Sequence, residues 1–230
     1  MRPDKFVIVF DYNGVILEDA KHHWRAFNGM AEKVGAKPVS YAEYRLAFRI
    51  PLKEMYADLG ICKKVIAERT DDLHRFFGEA YNGSNQGVCP RRGVIQALSY
   101  IKGQGHKAII LSNHTKEDIR KQLKRFDLDN CFSAVLANGH DEHQDIMYKA
   151  GKGKRLENWL KNHHVRGGIV VGDTPEEVHI ARGCGFFSMG LTGGFCLPAA
   201  FKGENEPDFL RKDLRPMPAI IAECYKRLQL

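Results

Sequence analysis

No apolar run in this 230-residue sequence approaches the roughly 18 residues that a membrane-spanning helix needs. The first apolar stretch, residues 6–10, is too short for a signal peptide and is followed at once by Asp11. The six cysteines form no CxxC pair and have no regular spacing, which argues against a zinc ribbon and is typical of reduced thiols. These absences predict a soluble, cytoplasmic protein that does not interact with membranes.

Sequence motifs typical of nucleic-acid binding or of a catalytic zinc site are also lacking. The sequence has no helix-turn-helix, zinc-finger or RNP-type aromatic pattern. Its histidine clusters, residues 22–23, 140–143 and 163–164, lack the HExxH spacing of zinc proteases, and we interpret them as solvated loop or helix positions. The net charge of +7 indicates an anionic partner without identifying it, and the missing motifs predict that this partner is not nucleic acid.

Short apolar runs that end in polar residues recur along the chain: residues 6–10, 108–111, 134–136, 169–171 and 186–189. Runs of this length without alternation are typical of strands that are buried on both faces of a parallel sheet. Helical patterns follow some of these runs, and Thr115 suits the N-cap of one helix and Pro175 the first turn of another. Strands that alternate with helices predict an α/β fold with a doubly wound parallel sheet.

Residues 18–85 interrupt this alternation. They contain no convincing strand, and their apolar residues fall on helical faces, one of which comprises Leu73, Phe76, Phe77 and Tyr81. The polar residues 82–87 are typical of a linker that returns the chain to the sheet. The sequence therefore predicts two units: an α/β core formed by residues 1–17 and 86–230, and an inserted helical unit formed by residues 18–85.

Polar side chains directly follow three of the predicted strands. Asp11 follows the first, Ser112 and Asn113 follow the second, and Asp173 follows the fourth, with Glu177 shortly after it. Because the carboxyl ends of parallel strands share one edge of a sheet, we expect these side chains to lie together. Their carboxylates suit Mg²⁺, which prefers oxygen ligands and usually keeps several waters and a phosphate. One carboxylate beside a metal-polarised phosphate can act as a nucleophile.

The order and placement of these residues resemble the haloacid dehalogenase-like (HAD) hydrolase superfamily, in particular its phosphoglycolate phosphatase-like members with a helical (C1-type) cap. The first family motif, DxDGT/V, is matched by residues 11–15, DYNGV. The second, a hydroxyl residue that ends a strand, is matched by Ser112, and the fourth, GDxxxD, by residues 172–177. The similarity covers essentially the whole chain. It implies a Rossmann-like core, a cap formed by the inserted helical unit, and Mg²⁺ as cofactor.

The resemblance implies a role for each matched residue. Asp11 is the expected nucleophile and a metal ligand, and the backbone carbonyl of Asn13 and the Asp173 carboxylate are further ligands. Glu177 stands where the family usually has Asp, and its longer side chain should still reach the metal. An acid at this position also stabilises the first turn of a helix, so both interpretations of Glu177 stay open. Ser112 is expected to hold the phosphoryl group.

The third family motif supplies a lysine, and three lysines compete for it. Lys152 is the predicted one, because apolar residues follow it at the spacing expected of a lysine that opens this helix. Lys149 and Lys154 are the alternatives.

Substrate contacts are predicted from both units. Asn113 lies beside Ser112 at the sheet edge. Arg49 and Lys53 are cations that suit either an anionic substrate or a solvated face of the helical unit. Lys53 also allows a second interpretation, because phosphonoacetaldehyde-cleaving relatives use a cap lysine to form a Schiff base. The predicted partner is a small phosphorylated molecule, and the oligomeric state is left open.

Asn13 is the main departure from the family pattern. HAD phosphatases usually have a second Asp here, which protonates the leaving group and then activates water. An amide cannot exchange a proton at neutral pH, and loss of a positioned acid or base typically lowers the rate ~10²–10⁴-fold. The sequence thus predicts a slow or atypical phosphatase that works through an aspartyl-phosphate on Asp11. Its alternatives are a non-catalytic HAD domain that binds a phosphorylated ligand or partner, a phosphonate hydrolase and a dehalogenase.

Overall fold

Six strands form one sheet in the computed structural model, which describes residues 6–84, 87–139, 145–148 and 151–229. The strands are β1 (Val7–Phe10), β2 (Lys107–Thr115), β3 (Ala134–Asn138), β4 (Gly168–Gly172), β5 (Phe187–Leu191) and β6 (Phe209–Arg211). All neighbouring strands are parallel, and their order across the sheet is β3-β2-β1-β4-β5-β6. The predicted α/β fold with a doubly wound parallel sheet is therefore confirmed.

The winding of the chain reverses at β1. From β1 the chain runs outward through β2 to β3, and it then crosses back to β4 on the other side of β1. In open α/β sheets, ligands bind at the carboxyl ends of the strands where the winding reverses. Here this crevice lies at the ends of β1 and β4, which are followed by Asp11 and Asp173.

Helices cover both faces of the sheet. Ile8 and Phe10 of β1 belong to an apolar cluster with residues of α6 (Val94–Gly103), α7 (Lys116–Arg125) and α11 (Met217–Leu228). Val7 and Val9 belong to a second cluster with residues of α9 (Lys152–Leu160) and α10 (Pro175–Gly183). All four β1 side chains are fully buried, and this two-sided burial explains why the strand is an uninterrupted apolar run.

Five helices lie between β1 and α6: α1 (Ala20–Lys33), α2 (Tyr41–Ala47), α3 (Leu52–Asp58), α4 (Lys63–Glu68) and α5 (Thr70–Ser84). Residues 18–84, all of which the structure describes, contain no strand. The helices share an apolar cluster that includes Phe27, Met30, Met55 and Leu73. The inserted helices are thus present, whereas the boundaries of the two predicted units stay predictions, and residue 85 lies outside the described residues.

Two strands differ from the prediction. β2 continues beyond the predicted run to Thr115, and its register with β3 shifts between Leu111 and Thr115. Ser112 therefore lies in the irregular end of the strand and not after it. The sequence predicts no β6, because this edge strand has three residues, of which only Phe209 is buried.

Two helix starts agree with the prediction. Thr115 caps α7 by accepting a hydrogen bond from the backbone N–H of Asp118, and Pro175 is the first residue of α10. A further helix, α8 (Asp145–Tyr148), is a single turn. Within the described ranges, no helix has the length and apolar character needed to cross a membrane.

Candidate active site

Residues from four elements meet at the carboxyl edge of the sheet. Asp11 follows β1, Asp173 follows β4, Glu177 lies in the first turn of α10, and Lys152 begins α9. The Nζ of Lys152 lies 2.9 Å from Asp11 Oδ2 and 2.6 Å from Glu177 Oε1. Asp11, Asp173 and Glu177, called the acidic cluster below, each have a carboxylate oxygen within 4.8 Å of the others. All four side chains are buried.

Burial and mutual repulsion raise the pKa values of the acidic cluster. Burial raises the pKa of Asp11 well above its usual range, and Glu177 and Asp173 raise it further against the effect of Lys152. Burial and the charge of Glu177 raise the pKa of Asp173 to about 7. Burial disfavours the charged form of Lys152, but nearby carboxylates outweigh it and keep its pKa well above normal. When all three are ionised, the carboxylates of the acidic cluster exceed the single positive charge of Lys152, and a divalent cation would balance this excess.

The oxygen atoms of the acidic cluster fit Mg²⁺. Asp173 Oδ2 accepts the backbone N–H of Phe195 at 2.6 Å, whereas its buried Oδ1 has no hydrogen-bond partner among the described residues. A buried carboxylate oxygen without a partner is unfavourable. A hard cation that prefers oxygen ligands would satisfy it.

Glu177 is held differently from the two aspartates. Its Oε1 accepts a hydrogen bond from Lys152, and its Oε2 accepts one from the Thr174 hydroxyl at 2.7 Å. A Cβ atom on Gly172 would lie 2.1 Å from Glu177 Cγ, so the glycine makes room for the longer side chain. Both oxygens of Glu177 are therefore already bonded to the protein.

Asn13 faces a buried carboxylate that the sequence analysis does not single out. Its Nδ2 donates to Asp19 Oδ2 at 2.6 Å. Asp19 also accepts the Gly14 backbone N–H at 2.8 Å and the Tyr81 hydroxyl at 2.9 Å, and His23 Nε2 lies 3.4 Å from it. Because a carboxylate only accepts hydrogen bonds, the amide must turn its NH₂ group toward Asp19. Asp19 thus fixes the orientation of Asn13.

Asp19 favours its ionised form although it is fully buried. Burial raises its pKa, but the electrostatic attraction of His23 and the hydrogen bonds from Asn13 and Gly14 outweigh this effect and hold the pKa below its usual value. In the sequence, an aspartate at this place is typical of a helix cap. It precedes α1 but makes no side-chain hydrogen bond to the helix, because its oxygens face the active site.

Ser112 and Asn113 are positioned by an arginine that the sequence analysis also misses. Arg155 Nη2 donates to the Ser112 carbonyl at 2.9 Å and to Asn113 Oδ1 at 2.8 Å. The Ser112 hydroxyl oxygen accepts the backbone N–H of His114 at 3.1 Å, which leaves its O–H to donate to another acceptor. Arg155 lies three residues after Lys152, and this helical spacing is the signal that relates the two.

A family model described as haloacid dehalogenase-like hydrolase matches residues 8–190. The chain belongs to this family. The match includes every residue of the acidic cluster together with Asn13, Ser112 and Lys152. The resemblance of the sequence motifs to HAD hydrolases is thereby confirmed.

The similarity to other HAD proteins extends over nearly the whole chain. A relative named "Putative pyrophosphatase PpaX", from Caldanaerobacter subterraneus subsp. tengcongensis, is 24% identical over 221 residues, 94% of each chain. The structure of a HAD-like hydrolase from Streptococcus pneumoniae superposes with a TM-score of 0.76 at 18% identity, covering 95% of this chain and 99% of that one. A predicted phosphoglycolate phosphatase from Haemophilus somnus 129pt gives a TM-score of 0.71 at 16% identity, covering 96% and 100%. At these identities, the structural likeness concerns the HAD fold.

Among the candidates for the HAD lysine motif, Lys152 is the one whose ammonium group the structure places at Asp11. Lys154, two residues further along α9, is exposed and lines a separate depression beside Glu157. Lys149 lies outside the described residues. The geometry therefore favours Lys152 over Lys154.

The cations predicted from the helical unit lie away from the acidic cluster. Arg49 Nη2 is 2.6 Å from Asp58 Oδ2, and Lys53 Nζ is 5.9 Å from the ring centroid of Tyr148. Neither Arg49 nor Lys53 is among the described residues that line the cavity at Asp11. The structure does not bring them together with the acidic cluster, and their role in substrate binding stays a prediction.

A cavity of about 720 Å³ opens above the acidic cluster of this HAD protein. The sheet side contributes polar residues, which include Asp11, Ser112, Asn113, Lys152 and Asp173. The other side is lined mainly by aromatic and apolar residues of the inserted helices and by Phe195. His23 also lines it, with a side chain only 17% exposed, so the interpretation of this residue as solvated is wrong. Residues 140–143 of the second histidine cluster lie outside the described residues.

Proposed function

We propose that this HAD hydrolase is a Mg²⁺-dependent phosphatase of small phosphorylated molecules, with Asp11 as its nucleophile. The observation that carries the proposal is the contact of the buried Asp11 with Lys152 at 2.9 Å, beside Asp173 and at the floor of a cavity. A structural ion pair has no need of an open cavity or of a buried carboxylate oxygen without a partner, such as Asp173 Oδ1. This arrangement suits the binding of an anionic group that neutralises charge as it enters.

The side chains at the sheet edge have complementary tasks in this reaction. A carboxylate oxygen of Asp11 forms a bond to phosphorus, and the bond between phosphorus and the leaving-group oxygen breaks, with its electron pair remaining on that oxygen. The ammonium group of Lys152 offsets the charge of the phosphoryl oxygens, and the Ser112 hydroxyl and the Asn113 amide donate hydrogen bonds to them. Water then attacks phosphorus, which releases phosphate and regenerates Asp11.

The residues that would hold Mg²⁺ are Asp11, Asp173 and the backbone carbonyl of Asn13. When bound, the ion supplies Lewis-acid stabilisation of the phosphoryl group. Glu177 supports the site by fixing Lys152, with which it shares a hydrogen bond at 2.6 Å. Asp173 Oδ1 is the expected ligand that gains most from a cation, because it is buried without a hydrogen-bond partner among the described residues.

Asn13 limits the reaction at two points. Its amide has no proton to transfer to the leaving group and cannot accept one from the attacking water. Its NH₂ group is also held by Asp19. This favours a second candidate function, a HAD domain that binds a phosphorylated ligand without turnover.

Hydrolysis of p-nitrophenyl phosphate with and without Mg²⁺ separates these two functions. We expect Mg²⁺-dependent release of p-nitrophenol that Asp11→Asn reduces at least ~10³-fold, because the amide cannot act as the nucleophile. Asp213→Asn is the control, since Asp213 is as buried as Asp11, at 7% exposure, but lies outside the described lining of the cavity. An inactive wild type whose melting temperature rises with inorganic phosphate would instead support the binding function.

A further inference from the structure

The cavity has a continuous aromatic wall, formed by Phe48, Phe195, His23, Tyr81 and Phe77. The ring centroids of Phe48 and Phe195 are 4.5 Å apart, and those of Phe195 and His23 are 4.8 Å apart. His23 in turn lies 4.8 Å from Tyr81 and 5.3 Å from Phe77. All five side chains line the cavity at Asp11. This surface suits a planar aromatic group, which gains both from burial and from ring contacts.

The aromatic wall begins where the acidic cluster ends. The backbone N–H of Phe195 donates to Asp173 Oδ2 at 2.6 Å, so the residue that starts the wall is bonded directly to the acidic cluster. A group attached to a phosphoryl moiety at Asp11 therefore has apolar rings beside it as soon as it leaves the polar floor. The wall is placed to contact the leaving group itself and not only a remote part of the substrate.

Two of the cations that line the cavity outside its polar floor, Arg75 of α5 and Lys121 of α7, are paired with carboxylates. Arg75 forms ion pairs with Asp72 at 2.7 Å and Glu79 at 3.4 Å, and Lys121 pairs with Glu117 at 2.8 Å. A second phosphate or carboxylate on the substrate would have to compete with these groups. These two ion pairs thus favour a leaving group that has no second negative charge beyond its phosphate.

Asn13 restricts the leaving group independently. Because the Asn13 amide can donate a hydrogen bond but cannot transfer a proton, the departing oxygen has to leave as an anion. An oxygen attached to an aromatic ring does this far more readily than an alkoxide, since the ring delocalises its charge. The chemistry of residue 13 and the composition of the wall therefore point to the same kind of compound.

Resting on the proposed phosphatase function, we propose that the substrates are aryl phosphates, the phosphate monoesters of aromatic hydroxyl compounds. The bond between phosphorus and the aryl oxygen breaks as a bond forms between phosphorus and a carboxylate oxygen of Asp11. The electron pair stays on the aryl oxygen, which leaves as a phenoxide and takes its proton from water. Attack of a water molecule on phosphorus then releases Asp11 and inorganic phosphate, and the proton of that water passes to solvent.

Four phosphates test the two requirements separately. Phenyl phosphate has a ring and a weakly basic leaving group, benzyl phosphate has a ring and an alkoxide, acetyl phosphate has a good leaving group without a ring, and ethyl phosphate has neither. We expect kcat/KM with Mg²⁺ to be at least ~10²-fold higher for phenyl than for benzyl phosphate, the size of a missing general acid. Benzyl and ethyl phosphate both release an alkoxide and differ mainly in the ring, so burial of the ring should favour benzyl over ethyl phosphate by about 10-fold or more.

Two neighbouring phenylalanines on α5 provide a matched pair of variants. Phe77 lines the cavity, whereas Phe76, equally half-buried, contacts Lys33 and Arg75 on the outside. Phe77→Ala should raise KM for phenyl phosphate several-fold and leave acetyl phosphate unchanged, and Phe76→Ala should change neither. Equal kcat/KM for phenyl and benzyl phosphate, or for benzyl and ethyl phosphate, would overturn the aryl phosphate proposal while the phosphatase function stands. If none of the four is hydrolysed in an Asp11-dependent way, the phosphatase function itself is wrong.

Discussion

The sheet side of the cavity holds its polar groups in fixed positions, whereas the helical side offers a surface of rings held by packing. Asp11, Lys152 and Glu177 are linked by hydrogen bonds of 2.6–2.9 Å, and Arg155 fixes the Ser112 segment. On the helical side, the side chains of Phe48 and Phe77 contact neighbouring rings through their faces and edges. A ring surface tolerates different partners better than a hydrogen-bonded network does, because dispersion contacts have little directionality.

This difference separates two aspects of the proposed function. The sheet side has the groups that suit phosphoryl transfer, and small errors in their placement would be costly. The helical side selects the leaving group by shape and polarity. Changes to the sheet side should therefore alter turnover or folding strongly, and changes on the helical side should mainly alter KM.

Removal of the Lys152 ammonium group should have the largest effect. Lys152→Ala leaves Asp11, Asp173 and Glu177 buried together without their cation, and breaking such a buried pair typically destabilises by ~3–5 kcal/mol. We expect this loss in urea-induced unfolding monitored by circular dichroism, together with loss of phosphatase activity.

Lys154→Ala is the matched control for Lys152→Ala. It removes an exposed lysine two residues away on the same helix, so its effect on unfolding should stay within ~0.5 kcal/mol. Equal effects of the two variants would contradict the assignment of the buried ammonium to the site. They would also remove the distinction between a fixed sheet side and an adaptable helical side.

The sheet and most of the residues at its edge could be predicted from the sequence, because strand ends are marked by local patterns. Each buried apolar run stops at a polar residue, and parallel strands bring such residues to one edge. Asp11, Ser112 and Asp173 follow from this rule. Asp19 and Arg155 do not, because their effect depends on which way a side chain turns, and the same residues suit a helix cap or a solvated helix face equally well.

The aromatic wall could be predicted only in part. The apolar spacing places Phe76, Phe77 and Tyr81 near one face of α5, yet Phe77 and Tyr81 line the cavity while Phe76 lies over Arg75. The packing of the helices against the sheet decides which residues of the apolar face of α5 line the cavity. Helical periodicity alone contains no information on that packing.

An exchange of the amide at residue 13 with the carboxylate at residue 19 tests whether the lack of an acid at residue 13 limits turnover. Asn13→Asp combined with Asp19→Asn keeps the net charge and the hydrogen bond of 2.6 Å between the two side chains, but it places an acid at position 13. We expect kcat for benzyl phosphate to rise up to ~10²-fold, because an alkoxide leaving group needs a proton more than a phenoxide does.

The single variant Asn13→Asp is the comparison for this exchange. It places two carboxylates at hydrogen-bond distance, so one of them must keep a proton, and the gain should be smaller or confined to a narrower pH range. Steady-state rates across the acidic, neutral and alkaline pH range measure both variants. A double variant no faster than the wild type would mean that Asn13 is adapted to different chemistry.

Metal binding should change the free energy of unfolding by less than the Lys152→Ala substitution does. If Mg²⁺ balances the acidic cluster, saturation to ~100 times its Kd should stabilise the fold by about 2.7 kcal/mol, or raise the melting temperature by about 5–10 °C. Asp173→Asn should abolish most of this increase, because it removes a carboxylate oxygen without another partner. Asp213→Asn should retain it. Differential scanning fluorimetry with MgCl₂ and with EDTA gives both values, and a variant-independent increase would contradict the proposed ligand.

The smallest effect is expected for Arg49 of the helical unit. Its guanidinium already pairs with Asp58 at 2.6 Å and with Glu54 at 3.6 Å, and all three side chains are well exposed. Such surface pairs contribute at most about 1 kcal/mol, so Arg49→Ala should leave both stability and the KM for phenyl phosphate nearly unchanged. A large increase in the KM for phenyl phosphate, comparable with that expected for Phe77→Ala, would show that Arg49 turns inward when substrate binds. The helical side would then contribute charge as well as an apolar surface, and the sequence-based prediction of Arg49 as a substrate contact would be correct.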